Sequence, residues 1–330
     1  MTPDQSRPWI YLQRITFGAV ALLALIGSTC ADVGLARWAA EHWDGYFGEL
    51  IQRGNVMIAL FLFLTLRAAY ELDRMARGAG ARPFTRFTYA MTAALMVVPW
   101  LSAGGWLGTR PVDVEGLYWQ VVTLAVGVVG AGVCAMTRQD RAGTIRDVGT
   151  TILVFSYVGF LASFAVQLRC GRNVPDQEGA WLLLIILAVT KSADIGAYLV
   201  GTLAGRHKLI PSISPGKTVE GLFGGMMVAA GVSAWCAHYE VSILFARVGS
   251  VESAAGGSES AVFRAVVFGL IIALVGQFGD LIESCFKRDA RAKDSGHWIP
   301  QYGGILDMVD SPIVTVAVGW FLLTTVWNVL

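Results

Sequence analysis

Hydrophobic positions along this chain fall into long unbroken runs rather than alternating or narrow-striped patterns. Nine runs stand out: 9–30, 48–66, 88–107, 117–136, 148–168, 180–203, 221–245, 261–282 and 312–330. Each is near the ~20 apolar residues that a helix needs to cross the hydrocarbon core of a bilayer. Membrane β-strands would alternate, and these runs do not. The pattern predicts an all-α integral membrane protein, a polytopic bundle of about nine transmembrane helices. The third run contains Pro99 and ends in glycines, so it can kink where neighbouring helices satisfy freed backbone groups. The first run is too long for the apolar part of a cleavable signal peptide and is expected to remain as a span.

The connections set the orientation. With the N-terminus in the cytoplasm, inner segments carry seventeen Lys and Arg residues and outer segments six. The outer six are Arg37, Arg53, Arg110, Arg169, Arg172 and Arg247. Basic residues collect on the cytoplasmic side of membrane proteins, which predicts a cytoplasmic N-terminus and an outer C-terminus. The Arg-rich stretch 67–87 fits this bias, with contact to anionic headgroups as a second reading. Residues 250–260, rich in Gly, Ser and Ala, read as a flexible outer loop.

Composition supports the membrane reading. The 330 residues are 55% apolar and 15% charged, whereas soluble domains carry about 25% charged residues. A disordered or nucleic-acid-coating protein is excluded, and an ordinary soluble enzyme does not fit. A net charge of +1 gives no overall attraction to nucleic acid, so no nucleic-acid partner is expected. Cys30, Cys134, Cys170, Cys236 and Cys285 are far apart and form no CxxC pair, which points to small apolar fillers rather than disulfides or zinc.

Two polar stretches are too specific to be connectors. In the first, Lys191, Asp194 and Tyr198 share a helix face by their i, i+3, i+7 spacing. Charges inside a span are costly unless they pair or line a hydrated cavity, so the face reads as a structural ion pair or as an active-site wall. It is followed by Gly205 to Gly221, broken by Pro211 and Pro215, with Lys217-Thr218 opening the next helix. Basic side chains and free N–H groups at a helix start suit phosphate. Gly216-Lys217-Thr218 is similar to the end of a P-loop, but Pro211 occupies the required first glycine and no strand is predicted before it. Gly221, Gly224 and Gly225 form a small-residue face suited to close helix packing, within the chain or in a homodimer.

The second stretch runs from Gly279 to Asp310. Asp280, Ser284 and Lys287 share a face if the eighth helix continues past the membrane, and Asp307 and Asp310 both point inward at the start of the last helix. Carboxylates converging among cations have the composition of a site for phosphate and a divalent metal. Hard oxygen ligands suit Mg²⁺, with Asp280, Asp307 and Asp310 as candidate ligands.

Together these residues resemble the signature of phosphatidate cytidylyltransferases, also called CDP-diacylglycerol synthases. The resemblance rests on Ser284-x2-Lys287-Arg288-x4-Lys293-Asp294-x-Gly296-x2-Ile299-Pro300, followed by Gly303-Gly304-Ile305-x-Asp307-x2-Asp310. Asp194-x-Gly196-Ala197-Tyr198 and Ser214-Pro215-x-Lys217-Thr218-x-Glu220-Gly221 match the same family. It covers roughly residues 180–330, while the earlier part matches mainly as a stack of spans. Two positions depart from the family pattern: Tyr302 replaces a His, and Met308 replaces an Arg.

The resemblance implies transfer of the cytidylyl group of CTP to phosphatidate, with Mg²⁺ and possible use of a second cation. It implies catalytic roles for Asp280, Asp307, Asp310, Lys287, Lys293 and Asp294. Asp194, Tyr198, Ser214, Lys217, Thr218, Glu220, Ser284, Arg288 and Tyr302 would bind substrate. Residues 1–179 would then be N-terminal spans, and 180–330 the catalytic membrane region facing the cytoplasm, in a bacterial inner membrane. Competing readings are a CTP-dependent polyprenol or phytol kinase, a secondary transporter coupled through Lys191 and Asp194, and a relative disabled at Tyr302 and Met308. The sequence contains no internal repeat of the kind transporters often show.

Overall fold

The computed structural model describes residues 7–43, 54–107, 115–171, 178–239, 259–296, 298 and 303–327. Within the described residues, each apolar run lies wholly or mostly on a helix. Among the described residues these are α1 (Arg7–His42), α2 (Asn55–Gly78), α3 (Thr85–Ala103), α4 (Glu115–Met136), α5 (Thr144–Cys170), α6 (Glu178–Ala204), α7 (Val219–His238), α8 (Glu259–Asp289) and α9 (Leu306–Phe321). A π-helical turn, Phe155–Phe160, lies within α5, and another, Leu322–Val326, extends α9. The polar stretch after α6 folds as an antiparallel hairpin, β1 (Lys208–Ile210) and β2 (Ser214–Thr218), with Lys208 opposite Thr218 and Ile210 opposite Ser214.

Among the described residues, seven helices are long and apolar enough to cross a membrane: α2 and α4 to α9. This is an integral membrane protein built of helices. The expected count of nine exceeds these seven by the runs on α1 and α3. Helix α3 has 19 residues, and Arg86, its threonines and Pro99 dilute its apolar character. It remains helical through Pro99 and stops before Gly104 and Gly105. Residues 48–53, 240–245 and 328–330 of the expected runs, and most of the expected outer loop, lie outside the described residues.

The main core lies where α6, α8 and α9 meet. Leu182, Leu183, Ile186, Val189, Phe268, Ile272, Val316 and Leu323 are buried there. A second core joins α2, α5 and α9 through Leu72, Tyr157, Val158, Leu306 and Ile313. Far from the polar stretches, Asp32 of α1 accepts from Arg169 of α5 at 2.7 Å, with both side chains buried. Asp32 also accepts from Val56 N and Met57 N, satisfying donors at the start of α2. A buried ion pair needs such extra hydrogen bonds to offset its desolvation.

Helices α6 and α7 approach closely along the glycine face expected from sequence. A Cβ on Gly225 would lie 2.6 Å from Ala193 O, and one on Gly221 would lie 2.7 Å from Ala197 O. These glycines therefore serve packing within the chain. The hairpin connects the end of α6 to the start of α7. All five cysteines are free thiols.

Candidate active site

Helix α8 is continuous to Asp289, so its polar end extends the apolar rod as a stalk. Asp280, Glu283 and Asp310 bring carboxylate oxygens within 4.8 Å of one another at the crossing of α8 and α9. The helices can cross this closely because position 279 is glycine: a Cβ there would meet Asp310 O at 2.7 Å. Asp310 and Glu283 are buried, and Asp280 is partly open.

Cations surround this group. Lys217 from β2 lies 2.7 Å from Asp280 Oδ2 and donates to Gln277 O at 3.3 Å. Lys287, one turn further along α8, pairs with Glu283 and reaches Asp307 Oδ1 at 2.8 Å. Lys191 of α6 lies within electrostatic reach of Asp280 and Asp310 and pairs with Asp194 at 3.1 Å. Ser284 donates to Asp280 Oδ1 at 3.5 Å. These residues come from four elements, α6, β2, α8 and α9, and the tertiary fold gathers them.

Asp307 is occupied differently from the other carboxylates. Oδ2 accepts from Gly304 N at 2.6 Å, Ser295 Oγ at 2.8 Å and Ser295 N at 3.1 Å, while Oδ1 faces Lys287. It ties the loop before α9 to Lys287 and lies beside the group of three rather than in it.

The hairpin explains several other sequence-expected residues. Thr218 caps α7 by accepting from Gly221 N at 3.1 Å. Glu220 accepts from Arg206 N at 3.0 Å and contacts the His207 ring at 2.6 Å, fixing the hairpin's entry strand. Arg288 donates to Ile213 O at 3.1 Å, linking α8 to the hairpin turn. Ser214 opens β2. Tyr198 is exposed one turn beyond Asp194, and Lys293 and Asp294 are exposed on the loop after α8. Tyr302 lies outside the described residues.

Two residues absent from the sequence-level set are central here. Glu283 lies three residues after Asp280 and four before Lys287, a spacing that marks the same helix face. Glu71 of α2 is buried beneath the loop before α9. It accepts from Leu306 N at 2.8 Å, Ile305 N at 3.1 Å and Ser295 Oγ at 3.1 Å. Arg67, one turn earlier, lies 3.8 Å from it. Ser295 thus touches both Glu71 and Asp307.

The glycines of this loop have a steric reason. Gly303 has φ +96°, a conformation that L side chains rarely adopt. A Cβ on Gly304 would collide with Ser295 and Glu71. Gly304→Ala is expected to cost about 1–3 kcal/mol by overpacking and to lower the thermal unfolding midpoint in detergent. Gly231→Ala, with open space around its Cβ position, should leave the midpoint unchanged or slightly raised. Intrinsic tryptophan fluorescence during heating checks both.

The three-carboxylate group fits a divalent cation. Its oxygens are hard donors at close range, and the buried Glu283 carboxylate has one cationic neighbour, Lys287, at its Oε2. Three carboxylates brought this close repel one another, and positive charge at their centre would offset that repulsion. Lys217 and Lys287 border the group, so an anionic phosphate can approach without meeting bare negative charge.

A model of the Cytidylyltransferase family matches residues 45–326. A Synechocystis protein named phosphatidate cytidylyltransferase is 30% identical over 305 residues, covering 84% of this chain and 90% of its own length. A protein of that name from Staphylococcus epidermidis is 28% identical over 268 residues, covering 80% of this chain and 89% of its own length. One from Bacillus subtilis is 33% identical over 183 residues, covering 54% and 60%. The match spans both the helical scaffold and the polar segments that build the site, and the chain belongs to the cytidylyltransferase family.

Proposed function

We propose that this protein transfers the cytidylyl group of CTP to phosphatidate, giving CDP-diacylglycerol and pyrophosphate. The carrying observation is the group of Asp280, Glu283 and Asp310, bordered by Lys217 and Lys287 at the polar end of membrane-crossing helices. The names of the relatives agree with it.

In this reaction an ionised oxygen of the lipid phosphate attacks the α-phosphorus of CTP. A phosphorus–oxygen bond forms there as the bond to the bridging oxygen breaks, and pyrophosphate leaves with that electron pair. The attacking oxygen carries no proton, so no general base is needed. The difficulty is bringing two anions together, and positioning plus charge neutralisation supply most of the acceleration. Lys217 and Lys287 are placed to neutralise phosphate oxygens, with Arg288 and Lys293 further out. Asp307 orients Lys287 through its 2.8 Å contact. Asp194 orients Lys191, while Thr218, Glu220 and Ser214 hold the hairpin that carries Lys217.

Mg²⁺ is the proposed cofactor, held by Asp280, Glu283 and Asp310. When bound, it would neutralise phosphate charge that lysines alone leave uncompensated.

The basic bias of the connections supports a cytoplasmic N-terminus, with α1 and α3 completing nine spans. The site then faces the cytoplasm, where CTP is dissolved, and phosphatidate arrives from the adjoining leaflet of a bacterial inner membrane. Residues 180–330 carry most of the chemistry and 1–179 most of the scaffold.

Purified protein in detergent with Mg²⁺, phosphatidate and CTP labelled at its α-phosphate tests the reaction. The expected result is label in the lipid fraction with equimolar pyrophosphate. Labelled CDP in water, with no labelled lipid, would mean γ-phosphoryl transfer and overturn the proposal.

A further inference from the structure

Lys191 lies midway along the 27-residue helix α6, at a depth where an ammonium group is costly unless an anion or water meets it. Its side chain is nevertheless 48% exposed. Asp194 supplies one anion at 3.1 Å, but that carboxylate is itself 33% exposed, so the pair has an open side. Ile195, Tyr198 and Leu199 continue the exposed stripe along α6. This charged pair therefore faces open space flanked by side chains suited to acyl chains. Lys191 also interacts electrostatically with Asp280 and Asp310 of the carboxylate group.

Lys217 and Lys287 approach the same group from the hairpin and from the stalk of α8, the side proposed to face water. Lys191 approaches from mid-span, where a water-soluble nucleotide has less reason to go and a lipid headgroup has a direct path. Helices α6 and α8 meet beside it, with Thr190 next to Gly276. We infer that Lys191 forms a lipid-side phosphate subsite, binding the phosphomonoester of the acceptor as it enters sideways from the bilayer. This assignment rests on the proposed function and adds a residue that divides the two phosphate substrates between two sides of one carboxylate group.

Lys191→Gln removes the charge and keeps a donor for Asp194, and Lys191→Arg keeps the charge. In mixed micelles, K191Q is expected to raise the half-saturating mole fraction of phosphatidate by about ten-fold, as for one lost charge-assisted hydrogen bond. The half-saturating CTP concentration should change little, and K191R should restore most of the lipid affinity. If the CTP value rises instead, the phosphate at Lys191 belongs to the nucleotide and the proposal fails. If neither value moves, Lys191 only balances Asp194 and the proposal fails. A binding arm without CTP separates this from failure of the proposed reaction. Native mass spectrometry should show wild type preferring phosphatidate over diacylglycerol and K191Q losing that preference. Equal preference in both proteins would overturn the subsite even if cytidylyl transfer occurs.

Discussion

Asp280→Asn is expected to lower cytidylyl transfer by at least about a hundred-fold, the scale on which removal of one preorganised electrostatic group acts. Two losses combine in this variant. The carboxylate group drops from three members to two, and Lys217, 2.7 Å from Asp280 Oδ2, loses its charged partner. Asp310→Asn should act similarly, because Asp310 is the buried member contributed by α9. Glu283→Gln removes the charge of the other buried member of the group, which also pairs with Lys287. Asp289→Asn, at the exposed end of α8, should retain near wild-type rates. A second readout is independent of turnover. A metal held by the folded protein raises its unfolding temperature by mass action. Mg²⁺ should stabilise wild type and D289N but not D280N, E283Q or D310N. Equal stabilisation of all five proteins would remove the metal from this group, whatever the rates show.

Legibility of this protein in its sequence followed the range of the interactions involved. Apolar runs are local signals, so the described part of each falls mostly on a helix, and the glycine face at 221–225 marks where α7 meets α6. Asp280, Ser284 and Lys287 could be placed on one face because helical period alone determines it. Glu283 satisfies the same period, but period alone does not show that its carboxylate is buried at the crossing of α8 and α9. Asp307 and Asp310 look equivalent at i, i+3 spacing. Their difference comes from the loop between α8 and α9, which delivers three donors to Asp307 and leaves Asp310 against Asp280. Spacing carries no information about that loop. The hairpin is similar: prolines predict a break after α6, but only the fold shows Lys217 reaching α8.

Glu71 was the least legible residue, and its removal should have the largest effect on folding. It lies with Asp73 in the Arg-rich stretch 67–87, and the donors it accepts from are more than 220 residues away in sequence. Glu71→Ala would leave Ile305 N and Leu306 N without this acceptor in a buried region, while the Ser295 hydroxyl keeps Asp307. Each buried group left unsatisfied costs about 1–3 kcal/mol, so the sum is a large part of the 5–15 kcal/mol typical of whole domains. E71A is therefore expected to yield little folded protein in detergent. Glu71→Gln should fold better, because its amide oxygen still accepts, but its NH₂ group faces donors on one side. The damage in E71Q should pass along Ser295 to Asp307 and Lys287, lowering kcat while lipid and CTP half-saturation values stay near wild type. Size-exclusion profiles and thermal unfolding measure the first effect, and steady-state kinetics on the folded fraction measure the second. A normally folded, fully active E71A would show that the loop before α9 holds its shape without α2. The first half of the chain would then be scaffold alone, with no hand in setting the geometry around Lys287.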